Sequence, residues 1–160
     1  MFVIRLLVVL CLAGQIAPVA AGGKKNDMAG IAFHVEGDRT DNPKMIFPQE
    51  IGGKERVFRR SPVVTAKDFA AFNPFPSQNG EGFGLLLKLK SAPANRVAGI
   101  TGSNTGKWLV ARVNGRIVDG VIIDRQVTDG ELVIWKNVSL AEVQALDKKL
   151  PRIGEKKPRG

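Results

Sequence analysis

The chain has 160 residues but only one cysteine and one histidine. The cysteine, Cys11, lies within the N-terminal stretch MFVIRLLVVLCLAGQIAPVAA. If that stretch is removed, the folded domain has no disulfide and no thiolate chemistry, and its stability must come from packing. A single histidine, His34, excludes a His-based metal cluster, and any His-assisted triad would have to use it. A long apolar run is missing as well. The run from Leu6 to Ala13 is short against the roughly 20 apolar residues that a spanning helix needs.

The N-terminus carries Arg5, a short apolar core and a small-residue exit at Val19-Ala20-Ala21, the order of a secretory signal peptide. Leu10 precedes Cys11 where a lipoprotein signal wants a small residue. Cleavage is expected after Ala21, with an uncleaved anchor as the alternative. The expected organisation is a signal peptide at 1–21, a mobile N-terminus at 22–28, one domain at 29–151 and a basic disordered tail at 152–160. Without its first 21 residues, the 160-residue chain keeps 139, one ordinary domain with enough length to bury a core. The expected location is periplasmic or secreted.

Charge is the strongest compositional bias. The formal net charge is +9, and +8 once Arg5 leaves with the signal. Such an excess favours anionic partners without choosing among them. Lys54, Arg56, Arg59 and Arg60 form a local basic cluster around Phe58 and are the candidate surface for an anionic partner. Nucleic-acid readers pair basic grooves with exposed aromatic platforms. One phenylalanine that reads as inward-packed, in a chain with a secretory signal, argues against nucleic acid.

Several segments show clear periodicity. Ile31, Phe33 and Val35 alternate with Ala32, His34 and Glu36 as in a half-buried strand. A hairpin is expected around Gly52-Gly53, with Pro48 on an edge strand. Thr65 and Asp68 suggest a capped short helix that carries Phe69 and Phe72 and ends at Asn73-Pro74. Phe83, Leu85, Leu87 and Leu89 mark one face of a strand, followed by a helix that Ser91 can cap. Asn114-Gly115 joins two β-rich runs, as a type I′ hairpin turn requires, and Asp119-Gly120 is an expected bulge. After a turn at Asp129-Gly130 comes a strand ELVIW. Ser139 and Glu142 then form a capping box for a closing helix stopped by Pro151. The expected fold is α+β, a mainly antiparallel sheet with two main helices on one face. It is a ferredoxin-like variant with a β-α-β-β-β-α core preceded by an N-terminal strand and a hairpin.

No constellation of residues calls for catalysis, a metal or a cofactor. The stretch GITGSNTGKW (99–108) looks like a phosphate loop, but three residues rather than four separate Gly102 from Gly106, and Trp108 replaces the magnesium-binding hydroxyl. Its order is helix into strand, whereas a phosphate loop runs from strand into helix. His34 reads as a surface or sheet-packed histidine. Asp119, Asp124, Asp129 and Glu131 match no calcium-loop spacing and read as turn and surface carboxylates.

The run from GFGLLLKLK through SAPANRVAGITGSNTGKW and WLVARVNGRIVDGVIID to SLAEVQALDKKL resembles the head subdomain of the first periplasmic domain of SecD, an accessory subunit of preprotein translocase. The shared order is a strand, a helix, the Gly106-Lys107 turn, a hairpin at Asn114-Gly115, the Asp129-Gly130 turn, a strand ending at Trp135 and a Ser139-capped helix. The resemblance covers roughly residues 62–150. It departs where Asp119-Gly120-Val121 replaces the family's small-residue-Pro step, and the family's membrane helices have no counterpart beyond the signal. The resemblance implies a fold and a habit of touching extended polypeptide, and it carries over no catalytic residue. The expected function is therefore a non-enzymatic exported domain that binds polypeptide segments or an envelope component. Two alternatives stand beside it: a basic scaffold for anionic envelope polymers, and a small hydrolase built on His34.

Overall fold

Alternating apolar residues build the strands of this chain, and a computed structural model describes residues 30–155 of it. The expected signal peptide, the stretch 22–28 and the end of the expected tail at 156–160 lie outside the described residues. In chain order the elements are β1 (Ile31–Val35), β2 (Ile46–Ile51), β3 (Lys54–Arg59), β4 (Val64–Thr65), β5 (Phe69–Pro76) and β6 (Phe83–Leu89). They continue with α1 (Ser91–Ser103), β7 (Trp108–Val113), β8 (Arg116–Ile122), β9 (Glu131–Val138) and α2 (Leu140–Asp147). The fold is α+β with antiparallel ladders throughout, as expected.

The strands form a four-stranded sheet in the order β4-β1-β7-β8, a three-stranded sheet in the order β5-β6-β9, and the β2-β3 hairpin. The inward faces of the two larger sheets share one core with the helices. It is filled by Ile31, Phe33, Phe69, Phe72, Leu85, Leu87 and Ile134, together with Val97 of α1 and Leu146 of α2. Full burial of a side chain of this size stabilises by about 1.5–3 kcal/mol. A smaller packing centre lies on the other face of β1, where the hairpin sets Phe47 edge-on to His34 and packs the buried Phe58 beside Phe47.

The turns follow their residues. Asn114 and Gly115 both adopt positive φ, at 50° and 82°, so the β7-β8 hairpin twists with its strands. The GITGSNTGKW stretch ends α1 and enters β7 through Gly106 at φ 85°, where a side chain would be strained. Ser139 and Glu142 close a capping box on α2, the Ser139 hydroxyl accepting from the Glu142 N–H at 3.3 Å.

Four expectations need correction. The Thr65–Asp68 box exists, but it caps only a 3-10 turn (Ala66–Asp68), and the chain then runs extended as β5. Phe69 and Phe72 are both buried because a bulge between Phe69 and Ala71 adds one residue to the strand. A three-residue apolar spacing therefore imitates a helix. The prolines Pro74 and Pro76 fit because β5 is an edge strand. Ser91 does not cap α1: Lys90 holds the cap position without a side-chain bond. The β8 bulge falls at Val118, since Ala111 faces Asp119 while Arg112 faces Ile117. Finally, the first residues of the expected tail are ordered. Arg152 bridges to Phe72 of β5, and the Ile153 N–H donates to the Phe72 carbonyl at 3.1 Å.

Candidate functional site

β8 and β9 are the end strands of their two sheets, and they lie side by side without a backbone ladder between them. Side chains supply the connection. The bulge at Val118 turns Asp119 toward β9, where its Oδ2 accepts the Trp135 N–H at 2.7 Å and its Oδ1 accepts the Gly120 N–H at 2.9 Å. The Asn137 side chain, on a residue at φ 65°, donates to the Val118 carbonyl at 2.9 Å. Beyond this stitch the strands part, and a groove of about 600 Å³ opens between them. That is within the usual range of about 300–1,000 Å³ for ligand sites.

The floor of the groove is the buried core: Phe33, Leu109 and Leu132, with the Thr101 side chain of α1. The loop 123–130 forms one wall and is tied down along its length. The Ile123 N–H donates to the Lys107 carbonyl and its own carbonyl accepts the Gly106 N–H, both at 2.8 Å. The Val127 N–H donates to Thr101 Oγ1 at 2.9 Å, and Gln126 Nε2 donates to the Ala98 carbonyl at 3.1 Å.

Strand alternation decides where the remaining backbone groups point. Ile123 spends its N–H and C=O on the β7 side, so those of Ile122 point toward β9. The Gly130 carbonyl accepts from Leu89 N on the β6 side, so Glu131, Val133 and Trp135 turn theirs toward β8. Asp129 Oδ1 takes the Glu131 N–H at 3.0 Å and Asp119 takes that of Trp135. The backbone groups of Ile122 and Val133 are left facing the groove from opposite sides. Two sheet edges thus confront each other over an apolar floor.

Two apolar side chains stand open at this gap. Ile122 is 53% exposed and Trp135 50%. Phe75 meets the Trp135 ring edge-on at 6.0 Å and lies over Gly84, where an added Cβ would run into the Phe75 ring. On the far side of Trp135 is a second hollow of about 330 Å³, bordered by Gln78, Asn79 and Lys136. Trp135 is therefore a partition between two hollows on the same seam.

Within the expected basic cluster, one member is engaged inside the fold. Arg56 turns toward Glu36, with Nη1 2.9 Å from Oε1, and its guanidinium stacks 5.1 Å from the Trp108 ring centre. Lys54, Arg59 and Arg60 are exposed. His34 is 4% exposed beneath the β2-β3 hairpin, with Nδ1 2.8 Å from the Arg59 carbonyl and its ring edge-on to Phe47 at 5.3 Å. Burial lowers its pKa below the ordinary 6.5, and the nearby Arg112 charge acts in the same direction against the hydrogen bond to Arg59. No carboxylate hydrogen-bonds this ring among the described residues. Of the four carboxylates expected at turns and on the surface, Asp119 is buried instead, because the bulge converts it into the link between two strands. No group of three or more metal-ligating side chains is found among the described residues.

Sequence reasoning did not find Trp135 and Ile122 as site residues. Each continues an alternating pattern that reads as plain strand, and only the missing ladder between β8 and β9 exposes them. The one available signal was Asp119 in an otherwise apolar β-rich run.

No protein-family profile matches the sequence, and no curated protein matches it. Solved structures do. A SecDF structure, that of a membrane component that enhances protein export, superposes with a TM-score of 0.54 at 20% identity over 74% of this chain and 60% of that one. SecDF in a super-membrane-facing form gives a TM-score of 0.50 at 19% identity over 72% of this chain and 17% of that one. The expected resemblance to a SecD domain therefore holds at the level of the fold, and this chain spans only part of either SecDF chain, 60% of one and 17% of the other. No helix among the described residues is long and apolar enough to cross a membrane.

Proposed function

We propose that this chain is an exported, non-enzymatic module that holds an extended polypeptide segment in the groove between β8 and β9. The observation that carries the reading is the gap itself: β8 and β9 form no ladder with each other, and between them lies a groove lined by Phe33, Leu109 and Leu132, into which strand alternation points the backbone groups of Ile122 and Val133. An extended chain laid there gains main-chain hydrogen bonds from strand edges and buries alternate side chains in the floor. Trp135 adds a large amphipathic ring beside it, of the kind that dominates binding hot spots. The SecD-like fold and the signal-like N-terminus support a periplasmic or secreted setting. No described carboxylate hydrogen-bonds the His34 ring, whose one hydrogen-bond partner is the Arg59 carbonyl, and this weakens the hydrolase alternative.

The test is binding of labelled, unstructured peptides to the full-length chain over a salt series. Capture in the micromolar range is expected at low salt, weakened by Ile122→Pro, which removes an edge N–H, and by Trp135→Ala. An absence of binding at low salt overturns the proposal. The alternative, an anionic polymer held by exposed Lys54, Arg59 and Arg60, predicts instead that substitution of those three abolishes binding while Trp135→Ala leaves it unchanged.

A further inference from the structure

The groove carries a charge opposite to that of the chain around it. Its rim holds Asp124, Asp129 and Glu131 against a single Arg125, whereas the whole chain has a formal net charge of +9. None of these three carboxylates is ion-paired among the described residues, where the ion pairs engage Glu36, Glu55, Asp68, Glu142 and Asp147. Lys88 sits opposite Glu131 in the β6-β9 register, yet the two form no ion pair. Asp129 is held in place by its bond to the Glu131 N–H. The loop that presents Asp124 and Arg125 is fastened to α1 and β7 through Gln126, Val127 and Ile123. The negative charge is therefore displayed on a fixed wall directly above an apolar floor.

From this juxtaposition we infer that the groove selects polypeptide segments in which lysine or arginine flanks an apolar side chain. The inference rests on the polypeptide reading of the same groove and adds its specificity. An extended strand alternates its side chains between faces, so a segment can place apolar residues on Phe33, Leu109 and Leu132 while neighbouring cations reach the rim. Burial alone is blind to the sign of the flanking charge, and the overall charge of the chain would favour acidic segments. The local carboxylates reverse that order within the groove, because at 0.15 M salt charges further apart than about 8 Å are largely screened. Exposed ion pairs are individually weak, so the expected discrimination is about tenfold at low ionic strength, expressed partly in the association rate.

The test uses the full-length chain and three peptides that share one apolar core, flanked by lysines, by serines or by glutamates. Affinity is read by fluorescence anisotropy at low salt and at 0.5 M salt. The lysine peptide is expected to bind about tenfold more tightly than the serine peptide and the glutamate peptide more weakly still, with the differences shrinking at high salt. The double variant Asp124→Asn, Glu131→Gln, checked by thermal melting, should level the three affinities without losing the serine peptide. Equal binding of all three by the native chain, or preference for glutamate, overturns the charge selectivity and leaves the groove as a polypeptide site. Binding of none of them overturns the polypeptide reading and the selectivity with it. Unchanged preference in the folded double variant also overturns the assignment to this rim.

Discussion

The Asp119 carboxylate and the Trp135 backbone N–H, 2.7 Å apart, join two sheets that no backbone ladder joins. One buried side chain thereby substitutes for a strand pairing, and it does so at the point where the groove begins. Stability and site geometry meet in that bond.

Replacing Asp119 with alanine leaves the Trp135 and Gly120 N–H groups without their acceptors. An orphaned buried donor costs about 1–3 kcal/mol, so denaturant midpoints should fall by that order, with a red shift of Trp135 emission in a Trp108→Phe background. Asp119→Asn keeps one acceptor oxygen and should lose about half as much. An unchanged midpoint for the alanine variant would show that the seam is held by other contacts.

Gly84 leaves room for the Phe75 ring, and an added Cβ would also lie 2.8 Å from the Ile134 carbonyl oxygen. Gly84→Ala should destabilise by about 1–3 kcal/mol through overpacking, and it should move Phe75 off Trp135. Combining it with Phe75→Ala should recover only part of the loss, because the backbone contact remains. Calorimetric melts of the two variants measure the difference.

Glu36 serves two partners at once: Oε1 accepts from Arg56 Nη1 and Oε2 accepts the Trp108 N–H, both at 2.9 Å. Glu36→Ala strands the partly buried Arg56 and frees the first N–H of β7. A loss of about 1–3 kcal/mol is expected, reduced in Glu36→Gln, which can still accept from Trp108. Equal melting temperatures for native and alanine chains would sink this account.

His34 has its pKa lowered first by burial. The unfolded chain therefore binds a proton at a higher pH than the folded one does, and the stability that this residue contributes is present in full above the ordinary value of 6.5. As pH falls through 6.5 toward the lower folded value, stability should decline by at most about 1.4 kcal/mol per pH unit from this residue. His34→Phe should flatten that part of a stability-against-pH curve. A curve of unaltered slope would place the titration elsewhere.

The parts of the fold legible in the sequence were those where one rule operates alone. Leu85, Leu87 and Leu89 alternate because β6 is central and one face is core. Ser139 and Glu142 sit at the spacing of a capping box and make one. Phe69 and Phe72 misled because a bulge adds a residue and a strand then buries positions three apart. His34 shows a related limit: the sequence left it as surface or sheet-packed, and the structure decides for packed because the cover arrives from the β2-β3 hairpin, a layer of which periodicity along one strand carries no trace. The groove was the least legible part. It is defined by a pairing that does not form, and Ile122 and Val133 differ in no local respect from paired strand residues.

The strand order carries a consequence for how the chain reaches this structure. β1, the earliest strand among the described residues, lies between β4 and β7, and the Gly30 N–H reaches the Asn114 side chain across 84 positions of sequence. During synthesis β1 therefore waits for most of the chain before its second neighbour exists, and pairings of such separation form slowly. Until β7 emerges, Ile31, Phe33 and Val35 have no complete sheet to join, and an unpaired apolar strand of that kind is open to capture or aggregation. The nascent chain thus passes through a stage in which its own first strand is an extended, apolar segment in need of a partner.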